Sequence, residues 1–372
     1  MKTTCALFTL ALAVGRASAG YLDDYINAGP AFLDSVRLPA FDIVGNSTAG
    51  ATAGRNWTGH CLNLTSQVWL TEDDWGADWG GAGARWWHYL YVIVPSVVAD
   101  READWRSLYI TGGKNTDKPP TADDLDISAT AQLAMATEQV WVTLFQVPNC
   151  KIYFRDEEGT PNNDENQLLA KTFVHVMDDA AGANLTLAQA SRAILLPMTK
   201  AAFGAMAAAD EFLAVTGAAG AAAGKGSRSD GAQTQWVVTG ASKRGWTAWL
   251  VGAVDALRQS NTVKARQIEA AAATTASHAG GAPEGSSSSD GPASAAPTWP
   301  QRVVAIAPLV MDGLKFHDYL HLQFSALGGW SFAMEAFVEA GFTGRIDQPE
   351  FATLFDIIDP YAYKERCGAL VV

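Results

Sequence analysis

Residues 236–250, WVVTGASKRGWTAWL, constrain the fold more than any other stretch of the 372-residue chain. An apolar, partly β-branched run meets a cluster of small residues, and a helix-compatible run follows from Lys243 to about Arg258. The stretch thus reads as a strand, a sharp turn and then a helix, one step of an alternating α/β chain. Ser242 sits at the bend. A nucleophilic serine needs its oxygen lifted clear of the backbone and placed beside amides that stabilise an oxyanion. The strand–turn–helix elbow written G-x-S-x-G does this, and its small residues are needed because the turn crowds its neighbours. Gly240 stands two residues before Ser242, Arg244 stands where the pattern has its second glycine, and Gly245 comes one position late. The first amide of the following helix, that of Lys243, faces the site where an anionic intermediate would form.

The rest of the chain repeats the alternation. LTSQVWLT (64–71), WWHYLYVIVP (86–95), WRSLYIT (105–111) and VWVTLFQVP (140–148) read as strands bounded by Gly, Pro or Asp. Between the last two, residues 126–139 suit a helix, with Ile127, Ala131, Leu133, Ala134 and Met135 as its apolar positions; strand–helix–strand over this distance predicts a parallel pairing. Leu168, Leu169, Phe173 and Val176 mark another helix, and 195–215 a further one with Pro197 in its first turn. RVVAIAPLVMD (302–312) is a strand, a helical stretch runs to about Leu354, and ALVV (369–372) reads as the start of one more strand. Residues 20–60 are expected to be irregular, 61–372 to form one α/β domain, and the Gly/Ala/Ser-rich stretches at about 216–233 and 259–300 to be surface insertions. The loop after WRSLYIT carries Gly112 and Gly113, which can turn a backbone amide toward the serine; the same pair also suits an ordinary tight turn.

The opening MKTTCALFTLALAVGRASAG has the charged, apolar, small-residue order of a secretory signal peptide, with cleavage expected after Ala19. Sequons at Asn46, Asn56, Asn63 and Asn184 fit a glycosylated, extracellular protein. Cleavage removes Cys5 and leaves Cys61, Cys150 and Cys367, enough for one disulfide whose pairing the sequence does not choose. No stretch after the leader reaches the roughly 20 apolar residues of a membrane span. The net charge of -13 disfavours nucleic acid or an anionic membrane as partner. The absence of a C-x-x-C pair argues against a structural zinc site, and no cofactor is expected. Asp156, Glu157, Glu158, Asp164 and Glu165 read as solvated loop and helix-start charges, and the tryptophans of DDWGADWGGAGARWW as packing residues more than a carbohydrate platform.

LTSQVWLT, RWWHYLYVIVP, LYITGGKN, LFQVPN, LLPMTKAA, VVTGASKRGWTAWL, VVAIAPLVMD and DPYAYKER, in that order, resemble the blocks of the PhoPQ-activated pathogenicity-related proteins. That family's eukaryotic relatives include autocrine proliferation repressor proteins. The resemblance covers roughly 60–372 outside the two insertions and makes Arg244 a family trait. It implies an α/β-hydrolase-like, mostly parallel sheet flanked by helices, with Ser242 as the inherited nucleophile and the amides of Gly113 and Lys243 as an oxyanion hole. The family's substrate is undefined; its bacterial members are associated with virulence and its eukaryotic ones with secreted growth regulation. In such folds the triad order is Ser, acid, His. Counting VVTG as the fifth strand, VVAIAPLV as the sixth and ALVV as the seventh, the usual positions of acid and histidine fall past Val372. The chain is therefore expected to be truncated near its seventh strand and to lack a complete triad. Asp312, directly after the sixth strand, is the substitute acid. His317 and His321 do not sit where a histidine loop returns to the serine; their spacing also matches two metal ligands, but without the glutamate of H-E-x-x-H they read as ordinary helix-face histidines. The rival reading is a non-catalytic secreted signalling or binding protein that keeps the elbow as scaffold, with its receptor or substrate unidentified.

Overall fold

A computed structural model describes residues 20–48, 50–71, 74, 85–99, 105–154, 164–182, 184–219, 234–259, 301–311 and 313–367. The expected signal peptide, Asp156–Glu158, most of both insertions, Asp312 and the 369–372 strand lie outside these residues.

The chain enters through α1 (Gly20–Asn27), then the short strands β1 (Asp34–Arg37) and β2 (Ile43–Asn46), and the long β3 (Asn56–Val68) and β4 (Arg85–Pro95). The helix α2 (Leu125–Thr137) links β5 (Trp105–Ile110) to β6 (Val140–Leu144); α3 (Glu165–Ala180), α4 (Leu187–Ala190) and α5 (Leu195–Thr216) follow. The strand β7 (Thr234–Ala241) leads into helix α6 (243–259). After β8 (Gln301–Leu309) come α7 (Phe316–Leu327), α8 (Glu335–Glu339), α9 (Pro349–Ile358) and α10 (Lys364–Cys367).

The eight strands form one sheet, ordered β1-β3-β4-β6-β5-β7-β8, with β2 also on β3. The predicted β5–α2–β6 unit is present and its strands pair in parallel, as do β5–β7 and β7–β8. The β1–β3, β2–β3, β3–β4 and β4–β6 pairings are antiparallel. The sheet is therefore mixed, not mostly parallel. Antiparallel neighbours need no crossover helix, and among the described residues no α-helix intervenes from β1 to β4. Residues 20–60 also differ from the irregular segment expected. Four-residue strands with Asp, Arg, Gly and Asn carry little β signal of their own; they form because the edge of β3 offers each a ladder partner. In α1, Leu22 and Ile26 share one face and are fully buried.

Around β4 and β6 both faces of the sheet carry a core. Along β4, Leu90, Val92 and Val94 enter the large core with α3, α5, α6 and α9, while Tyr89, Tyr91 and Ile93 alternate into a smaller core under α2. On α2, Ile127, Ala131, Ala134 and Met135 are buried, but Leu133 points outward. The predicted face of α3 is buried as expected. Among the described residues no helix is long and apolar enough to cross a membrane. Cys61 and Cys150 are both free and buried, so neither takes part in the disulfide considered from sequence; burial pushes each thiol up to about 11, the state of a small apolar packing residue.

Candidate active site

The parallel strands β5, β7 and β8 end together, with Ile110 opposite Gly240 and Gly240 opposite Pro308. Their carboxyl ends are where an open α/β sheet places a site. There β7 ends at Ala241, and Ser242 takes φ +57°, a left-handed conformation that costs a non-glycine residue about 1–2 kcal/mol. The bend is held on both sides: the Ser242 N–H donates to Leu309 O at 2.8 Å, and Trp246 N–H donates to Ser242 O at 3.0 Å. The serine is exposed.

Two glycines make this turn fit. A Cβ on Gly240 would lie 2.7 Å from the Arg244 Cβ, and one on Gly245 would lie 2.9 Å from Leu309 O and from the Met311 Cβ. The second small residue of the elbow is thus Gly245, where the helix passes β8, and position 244 is open to a large side chain. Arg244 uses that freedom. Its guanidinium pairs with Glu165 at the start of α3 and its Nε–H donates to Val147 O after β6, while Lys243 Nζ lies 3.0 Å from the other Glu165 oxygen. A Cβ on Gly112 would stand 2.5 Å from Arg244 Nη2, so only glycine lets the guanidinium pass. Glu165 is therefore not a solvated charge, whereas Asp164 caps α3 through a capping box with Gln167.

The loop after β5 is pinned to the segment after β6. Gln146 N–H donates to Gly112 O at 2.7 Å, Gln146 Nε2 to Lys114 O at 2.9 Å, and Asn115 N–H to Cys150 O at 2.6 Å. Gly113 has φ +123°, which a side chain would strain. Among the described residues, the amides of Gly113 and Lys243 donate to no protein acceptor. These two amides lie just past the ends of the neighbouring parallel strands β5 and β7, the second of them directly after the exposed Ser242.

No described histidine reaches the serine. His88 is fully buried, accepting from Ser66 Oγ at Nε2 and donating from Nδ1 to Phe145 O. His60 sits with Arg37 and Asp42. His317 and His321 both face Asp347. Asp312, the candidate acid, lies outside the described residues. Asn46, Asn56 and Asn184 are exposed; Asn63 is half-buried within β3 between Val36 and Tyr89. Trp86 is buried in the core and Trp87 partly so, as packing residues should be, while Trp75 and Trp79 are outside the described residues. Sequence reasoning missed Glu165, Gln146 and Asp347, whose partners are far away in the chain.

A mixed sheet whose parallel half ends in a left-handed serine at a strand-to-helix elbow defines an α/β-hydrolase-type protein. Within that class the chain belongs to the PhoPQ-activated pathogenicity-related protein family, whose model matches residues 47–260 and 295–370. It is 28% identical over 351 residues to autocrine proliferation repressor protein A of Dictyostelium discoideum, an alignment covering 93% of this chain and 52% of that protein. The chain thus spans about half the length of that relative. Among solved structures, acetyl xylan esterase 1 from Thermoanaerobacterium sp. aligns at 12% identity with a TM-score of 0.39, over 94% of this chain and 74% of that one.

Proposed function

We propose that the protein is a secreted, glycosylated serine hydrolase or acyl transferase in which Ser242 is the nucleophile. The observation that carries this reading is the left-handed backbone at Ser242 between β7 and α6, held although it costs stability. In the proposed reaction the Ser242 Oγ attacks an acyl carbonyl, the oxyanion is received by the Gly113 and Lys243 amides, and the leaving group departs to give a serine ester that water then cleaves. The base that takes the hydroxyl proton is placed outside the described residues. Turnover of a short-chain aryl ester by the protein as its cells make it, lost in Ser242→Ala, is the expected result; equal turnover by that variant would exclude the role. Secretion predicts a deglycosylated mass below the 39.4 kDa of residues 1–372 by the leader, provided the natural product ends at Val372.

A second reading is favoured by one observation: no described histidine touches Ser242. On it, the protein is a secreted growth regulator, in line with its Dictyostelium discoideum relative, an autocrine proliferation repressor protein, and the elbow is inherited scaffold. Growth-regulating activity unchanged by Ser242→Ala would favour this reading.

A further inference from the structure

The helix α7 carries His317 and His321 four residues apart, hence on one face, with ring centroids 4.6 Å apart. Both rings direct Nε2 at the same oxygen. His317 Nε2 lies 3.0 Å and His321 Nε2 2.8 Å from Asp347 Oδ1, contributed by the turn that enters α9. The three donor atoms lie within 4.8 Å of one another.

We propose that His317, His321 and Asp347 form a binding site for one divalent transition-metal ion, with Zn²⁺ the natural fit. Donors about 2.0–2.2 Å from a tetrahedral zinc ion stand roughly 3.3 Å from each other, so each histidine–aspartate pair opens by a few tenths of an ångström to admit the ion, and the two exposed imidazoles, whose donors lie within 4.8 Å, turn to complete the spacing. Two imidazoles select a borderline ion over Mg²⁺ or Ca²⁺, which favour oxygen ligands. The outer contacts match this chemistry. His317 Nδ1 faces Asp318 Oδ1 at 3.5 Å, at the long end of hydrogen bonding. An Nδ1–H held there leaves the Nε2 lone pair aimed at the shared point, as a carboxylate accepting from the far ring nitrogen does for a metal-bound histidine. The carboxylate's own turn is fixed: Arg345 pairs with Asp178 on α3, and Phe351 packs on the His317 ring. Three protein ligands leave a fourth position for water, beside a groove of about 470 Å³ lined also by Lys315, Asp356, Asp359 and Tyr361. A bound ion would cross-link α7 to the entry of α9.

The helix-face reading of this pair rested on the missing glutamate of H-E-x-x-H and on the apolar residues around the two histidines; folding brings a third donor to them from 26 residues beyond His321. The test is titration of the full chain with Zn²⁺ by calorimetry, and with Co²⁺ by visible absorption. One equivalent should bind, the Co²⁺ spectrum should show low-coordination bands, and His321→Ala and Asp347→Asn should each weaken binding at least tenfold. The side chains are 48%, 46% and 70% exposed, so both variants should melt like the parent. Absence of stoichiometric binding by folded protein overturns the proposal. Binding that survives Asp347→Asn undiminished also overturns it, because a two-histidine surface chelate is then all that exists.

Discussion

At the scale of single residues, Ser242 trades stability for position. Ser242→Ala and Ser242→Gly both delete the hydroxyl, but only glycine accepts φ +57° without penalty. The glycine variant should therefore be about 1 kcal/mol more stable than the alanine variant, read as denaturation midpoints at equal slope. Equal midpoints would mean the backbone at 242 is not left-handed. The elbow was legible in the sequence because it is local: Gly240, Ser242 and Gly245 lie within six positions, and Gly240 is required by the turn's own close approach to Arg244, although Gly245 also clears Leu309 and Met311 at the end of β8. Glu165 and Asp347 were not legible. Their partners lie 79 and 26 positions away, and no spacing rule spans such distances.

At the scale of elements, the elbow is braced by side chains as well as by the sheet. Arg244 ties the first turn of α6 to α3 through Glu165 and to the segment after β6 through Val147 O. Lysine keeps the charge at 244 but lacks the planar fork that serves both partners at once. Arg244→Lys should cost about 1.5–3 kcal/mol. A double-mutant cycle with Glu165→Gln should give a coupling of about 0.5 kcal/mol or more, whereas strict additivity would show that the contact is energetically idle. The long strands and helices were readable from alternation and from 3.6-residue periodicity. The elements at Gly20–Asn27, Asp34–Arg37 and Ile43–Asn46 were not, because they are too short for a period to declare itself and depend on partners elsewhere.

At the scale of the whole molecule, the buried polar groups make stability depend on pH. Burial lowers the His88 imidazole to about 4, against about 6.5 in an unfolded chain. Between these values the unfolded chain takes up a proton that the folded protein refuses. The contribution of His88 is therefore complete above pH 6.5 and lost as pH falls toward 4, by roughly 3 kcal/mol in total. Denaturant unfolding at pH 7.5, 6 and 5 should follow that slope, and His88→Gln should flatten it; an unchanged slope would assign the loss to other groups. The overall α/β class followed from the β5–α2–β6 unit and the β7–α6 elbow, but the antiparallel half of the sheet did not, since strand direction there is set by long-range pairing and not by composition. On the proposed function, this sheet presents the Ser242 hydroxyl as the reacting group. The most direct measurement is fluorophosphonate labelling of the native protein, with the adduct mapped by peptide mass spectrometry and Ser242→Ala as control. A single adduct on the peptide containing Ser242, absent from the variant, is the predicted result; folded protein whose Ser242 peptide stays unmodified would contradict it.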